Sequence, residues 1–248
     1  MRNIGLEKRT EKFAASAKGM NIDLTDEMLQ QFKTYYELLV DWNTRMNLTT
    51  ITEYEDVVLK HFLDSLSLVR AGEKFANLHQ ELRLIDVGCG AGFPGIPLKI
   101  AFPNLRITLL DSLDKRIRFL NEVIGTLGLQ HIEAVHGRAE DYAMMPEYRE
   151  QFDLAVSRAV ANLATLSEYC LPFVRKGGFF IPYKSETLDE ELAAAKNAVF
   201  LLGGKYLESV YYCLPDSDIR RSLCIIEKRD NTAGKYPRKA GLPSKKPL

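Results

Sequence analysis

The sequence predicts an α/β fold: a seven-stranded, mostly parallel, Rossmann-like sheet ending in an antiparallel strand pair, with an N-terminal helical cap. Three observations predict it. Short apolar runs alternate with amphipathic stretches from residue 82 onward, the pattern of repeated strand-helix-strand units. The last two runs follow one another with no helix-length insert, so they should pair antiparallel. Before residue 80 the apolar residues recur at helical rather than strand spacing.

In the cap, Leu29, Phe32, Tyr36, Leu39 and Val40 define one helix, with Thr25 where an N-cap belongs and Asp26 and Glu27 in the first turn. Val58, Phe62, Leu66 and Val69 define a second apolar face. The parallel strands are expected at 82–87, 106–110, 132–135, 152–156 and 179–183, and the terminal pair near 206–214 and 222–228. Three regions follow: a helical cap (1–80), a core (81–230) and a basic tail (231–248). Five parallel strands followed by a hairpin-like pair is the order of class I methyltransferases.

Composition narrows the function. The 248 residues include 33 basic and 33 acidic side chains, so any affinity for nucleic acid must come from local clustering rather than net charge. Four scattered cysteines, without a CxxC pair or a histidine at ligand spacing, predict reduced thiols, no disulfide and no metal site. The charged N-terminus is unlike a signal peptide, and no stretch approaches the ~18 apolar residues of a bilayer-spanning helix. A cytoplasmic protein, without membrane attachment and acting as a monomer, is the expectation.

The most informative stretch is Leu84-Ile-Asp86-Val-Gly88-Cys-Gly90-Ala-Gly92-Phe93-Pro-Gly95, a strand running into glycines and then a helix. Gly90, Gly92 and Gly95 also match GxGxxG, so a nicotinamide-binding turn is the competing reading. Two acids favour S-adenosylmethionine. Asp86, two residues before the first glycine, can reach a cationic amino group directly or through water, whereas an acid beside a pyrophosphate would repel it. Asp111, closing the next strand, can accept both ribose hydroxyls; its alternative is to cap the following helix. After the third strand, Gly137-Arg138-Ala139-Glu140-Asp141 can face an adenine edge.

Ligands of open α/β sheets bind beyond the carboxyl ends of the strands. Arg158 and Lys184 follow strands four and five there, both directed at one cleft; the bland alternative for Arg158 is an ordinary surface arginine. Lys235, Arg238 and Lys239 lie in a tail with five basic residues and no acid from 235 onward, suited either to RNA phosphates or to solvation alone. His61 and Asp64 share a helix face and read as a pair tying cap to core.

These residues together resemble the RsmG (GidB) family of bacterial 16S ribosomal RNA guanine-N7 methyltransferases, over roughly residues 24–248. The resemblance rests on Asn47-Leu-Thr, His61-Phe-Leu-Asp-Ser-Leu, Asp86 through Leu98, Leu110-Asp-Ser, Lys115-Arg116, Gly137-Arg-Ala-Glu140, Ser157-Arg158 and the Lys235-Tyr-Pro-Arg-Lys-Ala-Gly-Leu-Pro tail. It implies methylation of one guanine in the decoding-site loop of 16S ribosomal RNA, position 527 in the usual bacterial numbering, on the RNA or the small subunit. It also implies that Gly88, Phe93, Ala139, Glu140 and Arg158 contact the cofactor. A small-molecule methyltransferase and a non-catalytic ribosome assembly factor are the alternatives.

Overall fold

The computed structural model describes residues 2–248 apart from 74, 159, 186 and 187. Thr25 caps the second helix as its type predicts: its hydroxyl accepts the Met28 N–H at 3.2 Å. The cap comprises α1 (Arg2–Lys18), α2 (Asp26–Asn43) and a helical stretch over 54–71 formed by α3 (Tyr54–Val57), a π-helical turn (Val58–Leu63), α4 (Asp64–Leu66) and a 3₁₀ turn (Ser67–Ala71). Then follow β1 (Arg83–Val87), α5 (Gly95–Ala101), β2 (Arg106–Asp111), α6 (Asp114–Thr126), β3 (Ile132–His136), α7 (Ala139–Tyr142), β4 (Phe152–Arg158) and α8 (Leu163–Cys170). The chain closes with β5 (Val174–Lys184), α9 (Leu188–Leu201), β6 (Gly204–Cys213), β7 (Arg220–Lys228) and the short α10 (Leu242–Lys245).

The seven strands lie in the order β3-β2-β1-β4-β5-β7-β6, parallel from β3 to β5, with β7 antiparallel to both β5 and β6. The order turns outward from β1 and β4, and this switch point opens a crevice at their carboxyl ends. Strand five begins earlier than its apolar run suggests. Val174 pairs with Phe152, and the chain passes Gly177 at φ 80° before Phe179 pairs with Leu154. A bulge there lets one strand contain a glycine pair that reads as a loop.

Alternation along each strand feeds two cores. Leu84 faces the cap side, where it joins Phe32, Tyr35 and Phe62 together with Ile96 of α5 and Phe119 of α6. Its neighbour Ile85 faces the other side, against Leu163 and Leu166 of α8 and Ala195 of α9. The helical cap thus forms, with α5 and α6, one of the two layers covering the sheet. Within α2 the fully buried tyrosine on this face is Tyr35; Tyr36 is half-buried and donates its hydroxyl to Thr52 O at 3.0 Å.

The tail is folded rather than loose. Arg149 donates to Thr232 O at 2.6 Å and Tyr236 O at 3.0 Å, and Gly241 N–H meets Glu140 Oε1 at 2.8 Å. Arg238 Nη2 lies 2.6 Å from Glu168 Oε2, and the same carboxylate accepts the Arg238 backbone N–H. Glu168 is fully buried, so its charge depends on this partner. Arg238→Ala is expected to destabilise the protein by about 3 kcal/mol in urea denaturation, because it strands that carboxylate. Lys239→Ala, at an exposed position of the same strap, should change stability by less than about 0.5 kcal/mol.

Candidate functional site

Beyond the carboxyl ends of β1, β2 and β3 lies a cleft of about 490 Å³. Its floor is the glycine turn after β1. Gly88 N–H donates to Leu110 O at 2.8 Å, and Gly88, Gly90 and Gly92 all have positive φ. Two of these glycines are required for different reasons. A side chain at Gly88 would run into Val160, while one at Gly92 would meet Ile96, Leu120 and the Tyr35 hydroxyl. The Tyr35 hydroxyl donates to Ala91 O, so the cap helix itself holds the loop.

Asp111 and Glu140 both border this cleft, with Ser112, Arg116 and Ala139 beside them. Asp111 accepts the Gly90 N–H at 2.9 Å and the Leu113 N–H at 3.0 Å, and Arg116 Nη1 lies 3.1 Å from it. It therefore ties the glycine turn to Leu113, the residue just before the following helix, without capping that helix. Asp86 sits one layer lower than its sequence position suggests. It is fully buried and outside the cleft wall, with Oδ2 accepting the Gly95 N–H at 2.8 Å and Oδ1 accepting no hydrogen bond. Burial pushes its carboxyl up to about 7, against the pull of the Gly95 N–H and Arg158.

A second cavity, of about 620 Å³, opens past β4 and β5. His61, Arg158 and Val160 line both cavities and form the wall between them. Lys184 lines only the second, where it lies 2.6 Å from Glu191 and donates to Ala161 O at 2.8 Å. Arg158 has the densest surroundings: Asp64 Oδ2 at 2.8 Å, Lys60 O at 3.1 Å, His61 Nδ1 at 3.2 Å and the Phe93 ring 5.1 Å below. It is 13% exposed, not a surface arginine.

His61 and Asp64 do join cap to core, but through Arg158 rather than through each other. His61 Nε2 lies 2.9 Å from Thr49 Oγ1, its ring stacks 4.4 Å over Phe93, and Asp64 also faces Arg221 at 3.4 Å. Burial, reinforced by Arg158, lowers His61 to about 3, so the ring is neutral at physiological pH. Val160, Glu191 and Arg221 border the cavities without having drawn notice in the sequence, and Thr49 was noticed only as part of the Asn47-Leu-Thr run. Nothing in their local spacing distinguishes them, since they arrive from the cap, the loop after β4, α9 and β7.

The strand order, the glycine turn and the acid closing β2 define a class I methyltransferase. The same layout is found in solved structures of low identity: YcgJ of Bacillus subtilis (TM-score 0.51, 14% identity, 69% of this chain and 100% of that one) and a putative sarcosine dimethylglycine methyltransferase of Galdieria sulphuraria (TM-score 0.51, 13% identity, 68% and 85%). The chain belongs to the GidB family, described as rRNA small subunit methyltransferase G, which matches residues 28–219. Relatives carrying the name ribosomal RNA small subunit methyltransferase G include those of Lachnoclostridium phytofermentans (53% identity, 95% of this chain and 96% of that protein) and Alkaliphilus metalliredigens (54%, 93% and 94%). The relative in Staphylococcus saprophyticus is 51% identical over 92% of this chain and 93% of its own length.

The two shifted groups make opposite contributions to stability. The unfolded chain protonates His61 below pH ~6.5 while the folded protein does not until about 3, so that stability is lost as pH falls through this window. Asp86 behaves oppositely: the folded state keeps a proton up to about 7 that the unfolded chain releases near 4, so its contribution shrinks as pH rises between them. Relative to wild type, His61→Gln should therefore gain stability on going from pH ~7 to pH ~5, and Asp86→Asn should lose it. Denaturant titrations at the two pH values measure both.

Proposed function

We propose that this protein transfers a methyl group from S-adenosylmethionine to N7 of a single guanine in the decoding-site loop of 16S ribosomal RNA. One observation carries the reading: among the described residues, His61, Arg158 and Val160 line both cavities, so a donor in one would lie next to an acceptor in the other. Among the described residues the second cavity is lined by Lys60, Arg158, Lys184 and Arg221 against Asp64 and Glu191, an excess of positive charge that suits a nucleotide phosphate. Family membership supports the same substrate, and such a substrate implies a cytoplasmic enzyme.

The first cleft fits S-adenosylmethionine. Its volume is in the range of cofactor sites, roughly 300–1,000 Å³. Gly90 has open space where a side chain would stand, leaving backbone for a ligand to approach. Asp111 and Ser112 would receive the ribose, Ala139 and Glu140 the adenine, and Gly88 and Phe93 the chain leading to sulfur. Asp86 has a buried acceptor without a hydrogen bond, and in its ionised form it would attract the cofactor's ammonium group through the loop. When bound, the cofactor supplies a methyl group activated by a sulfonium.

Guanine N7 already has a free lone pair, so no base has to remove a proton before attack. With the cofactor held by Asp111, Glu140 and the glycine turn, an N7–carbon bond would form at the expense of the cofactor's carbon–sulfur bond, leaving the purine cationic. The protein's part is positioning, which can supply roughly 7–11 kcal/mol. Arg158, held on three sides and stacked on Phe93, orients the substrates at the shared wall; Lys184 orients the base. Lys235 and Lys239, exposed on the strap, face solvent where RNA phosphates can reach them, while Arg238 anchors that strap through Glu168. The guanine must be splayed out of folded RNA to enter.

Purified protein incubated with tritiated S-adenosylmethionine and small subunits from a strain lacking the endogenous enzyme should place label at one N7-methylguanine of the decoding-site loop, mapped by cleavage at that base. Label in a small molecule, or none in RNA, would overturn the proposal. Asp111→Asn should weaken binding of S-adenosylmethionine about tenfold in calorimetry, through loss of one charge-assisted interaction. The rate of methyl transfer should show no essential base titrating near neutrality.

A further inference from the structure

The polar wall of the second cavity is asymmetric. Lys184 Nζ and Glu191 Oε2 lie 2.6 Å apart, so a donor and an acceptor stand side by side. Both are fixed. Lys184, 9% exposed, also donates to Ala161 O at 2.8 Å, and Glu191 also accepts the Leu163 N–H at 2.7 Å. The other carboxylate among the described lining residues, Asp64, is committed to Arg158 at 2.8 Å and Arg221 at 3.4 Å, and so is already neutralised.

A donor beside an acceptor is a pattern that distinguishes purines. Guanine presents the O6 acceptor next to the N1–H and N2 amino donors; adenine presents its N6 amino donor next to the N1 acceptor, the reverse order. We propose that Lys184 and Glu191 together read the target base as guanine: the ammonium donates to O6, and the carboxylate accepts from N1–H and the N2 amino group. N7 adjoins O6 on the other side of the ring, so a base held in this way turns N7 toward the wall shared with the cofactor cleft. Adenine would set its amino group against the ammonium and its N1 lone pair against the carboxylate, two repulsive contacts in place of two attractive ones. Lys184 is thereby a specificity determinant as well as an orienting group, and Glu191 of α9 joins the substrate site.

This inference rests on the N7-guanine reading, and small subunits reconstituted with altered 16S RNA separate the two. Inosine at the target position keeps N7, O6 and N1–H but lacks the N2 amino group; 2-aminopurine keeps N7 and the amino group but lacks O6 and the N1–H. The wild-type enzyme should prefer guanosine to inosine by about tenfold or more in kcat/KM, the effect of one hydrogen bond to a charged acceptor. Glu191→Gln should shrink that preference to within about threefold. Lys184→Met should likewise shrink the preference for guanosine over 2-aminopurine, and Lys184→Arg should restore it.

Each preference is a ratio measured on one enzyme preparation, so partial misfolding of a variant leaves it unchanged. If wild-type label appears at N7-methylguanine but Glu191→Gln lowers guanosine and inosine rates equally, the specificity role is overturned and the parent reading stands. If the Glu191 variant does not fold, an unchanged 2-aminopurine preference in Lys184→Met overturns it on its own. Label at another atom or another base in the wild-type reaction would instead overturn the parent reading.

Discussion

The site depends on one buried guanidinium. Arg158 ends the fourth strand with little access to solvent, and its charge is tolerable only because Asp64 and the Lys60 carbonyl of the cap meet it there. The stack of Arg158 and His61 on Phe93 brings the glycine loop into the same contact. One ionic contact thus fixes the cap, the central strand and the loop relative to one another, and Arg158 and His61, together with Val160, line both cavities. On the proposed reading a methyl group crosses this shared wall, and its rigidity sets how well donor and acceptor are aligned.

The cap is accordingly part of the catalytic frame. Tyr35 reaches from α2 to the Ala91 carbonyl and stacks among Phe62, Phe93 and Phe119, so the glycine turn is supported from above as well as by Asp111 from below. The C-terminal strap closes the other end. Glu140 borders the first cleft while accepting the Gly241 N–H, and Glu168 and Arg149 secure the residues between. Both extensions of the sheet meet at the edge where ligands of such folds bind.

Much of this was legible in the sequence because it depends on local periodicity and local backbone demands. Alternating apolar runs give the parallel strands, and the missing insert before residues 222–228 gives the antiparallel pair. Thr25 announces a helix start, and the glycines after Asp86 announce a turn that bears no side chains. The early start of β5 was not legible, because Gly177 and Gly178 read as a loop unless the partner strand is known to supply a bulge. Asp86 and Asp111 were recognisable as acids at strand ends. Which of them would border the cleft was not, since burial depends on the layers above.

The sequence by itself determined the class of fold, the position of the glycine turn and the identity of the family, all of which are written in contiguous residues. Only the tertiary structure decided the partners. His61 and Asp64 meet Arg158 across more than ninety intervening residues rather than each other, Arg238 is claimed by Glu168, and Lys184 finds Glu191 in a separate cavity from the glycine loop. The physical reason is that a charged side chain withdrawn from water takes whichever counter-charge the packing of distant elements delivers. That choice leaves no periodic trace along the chain.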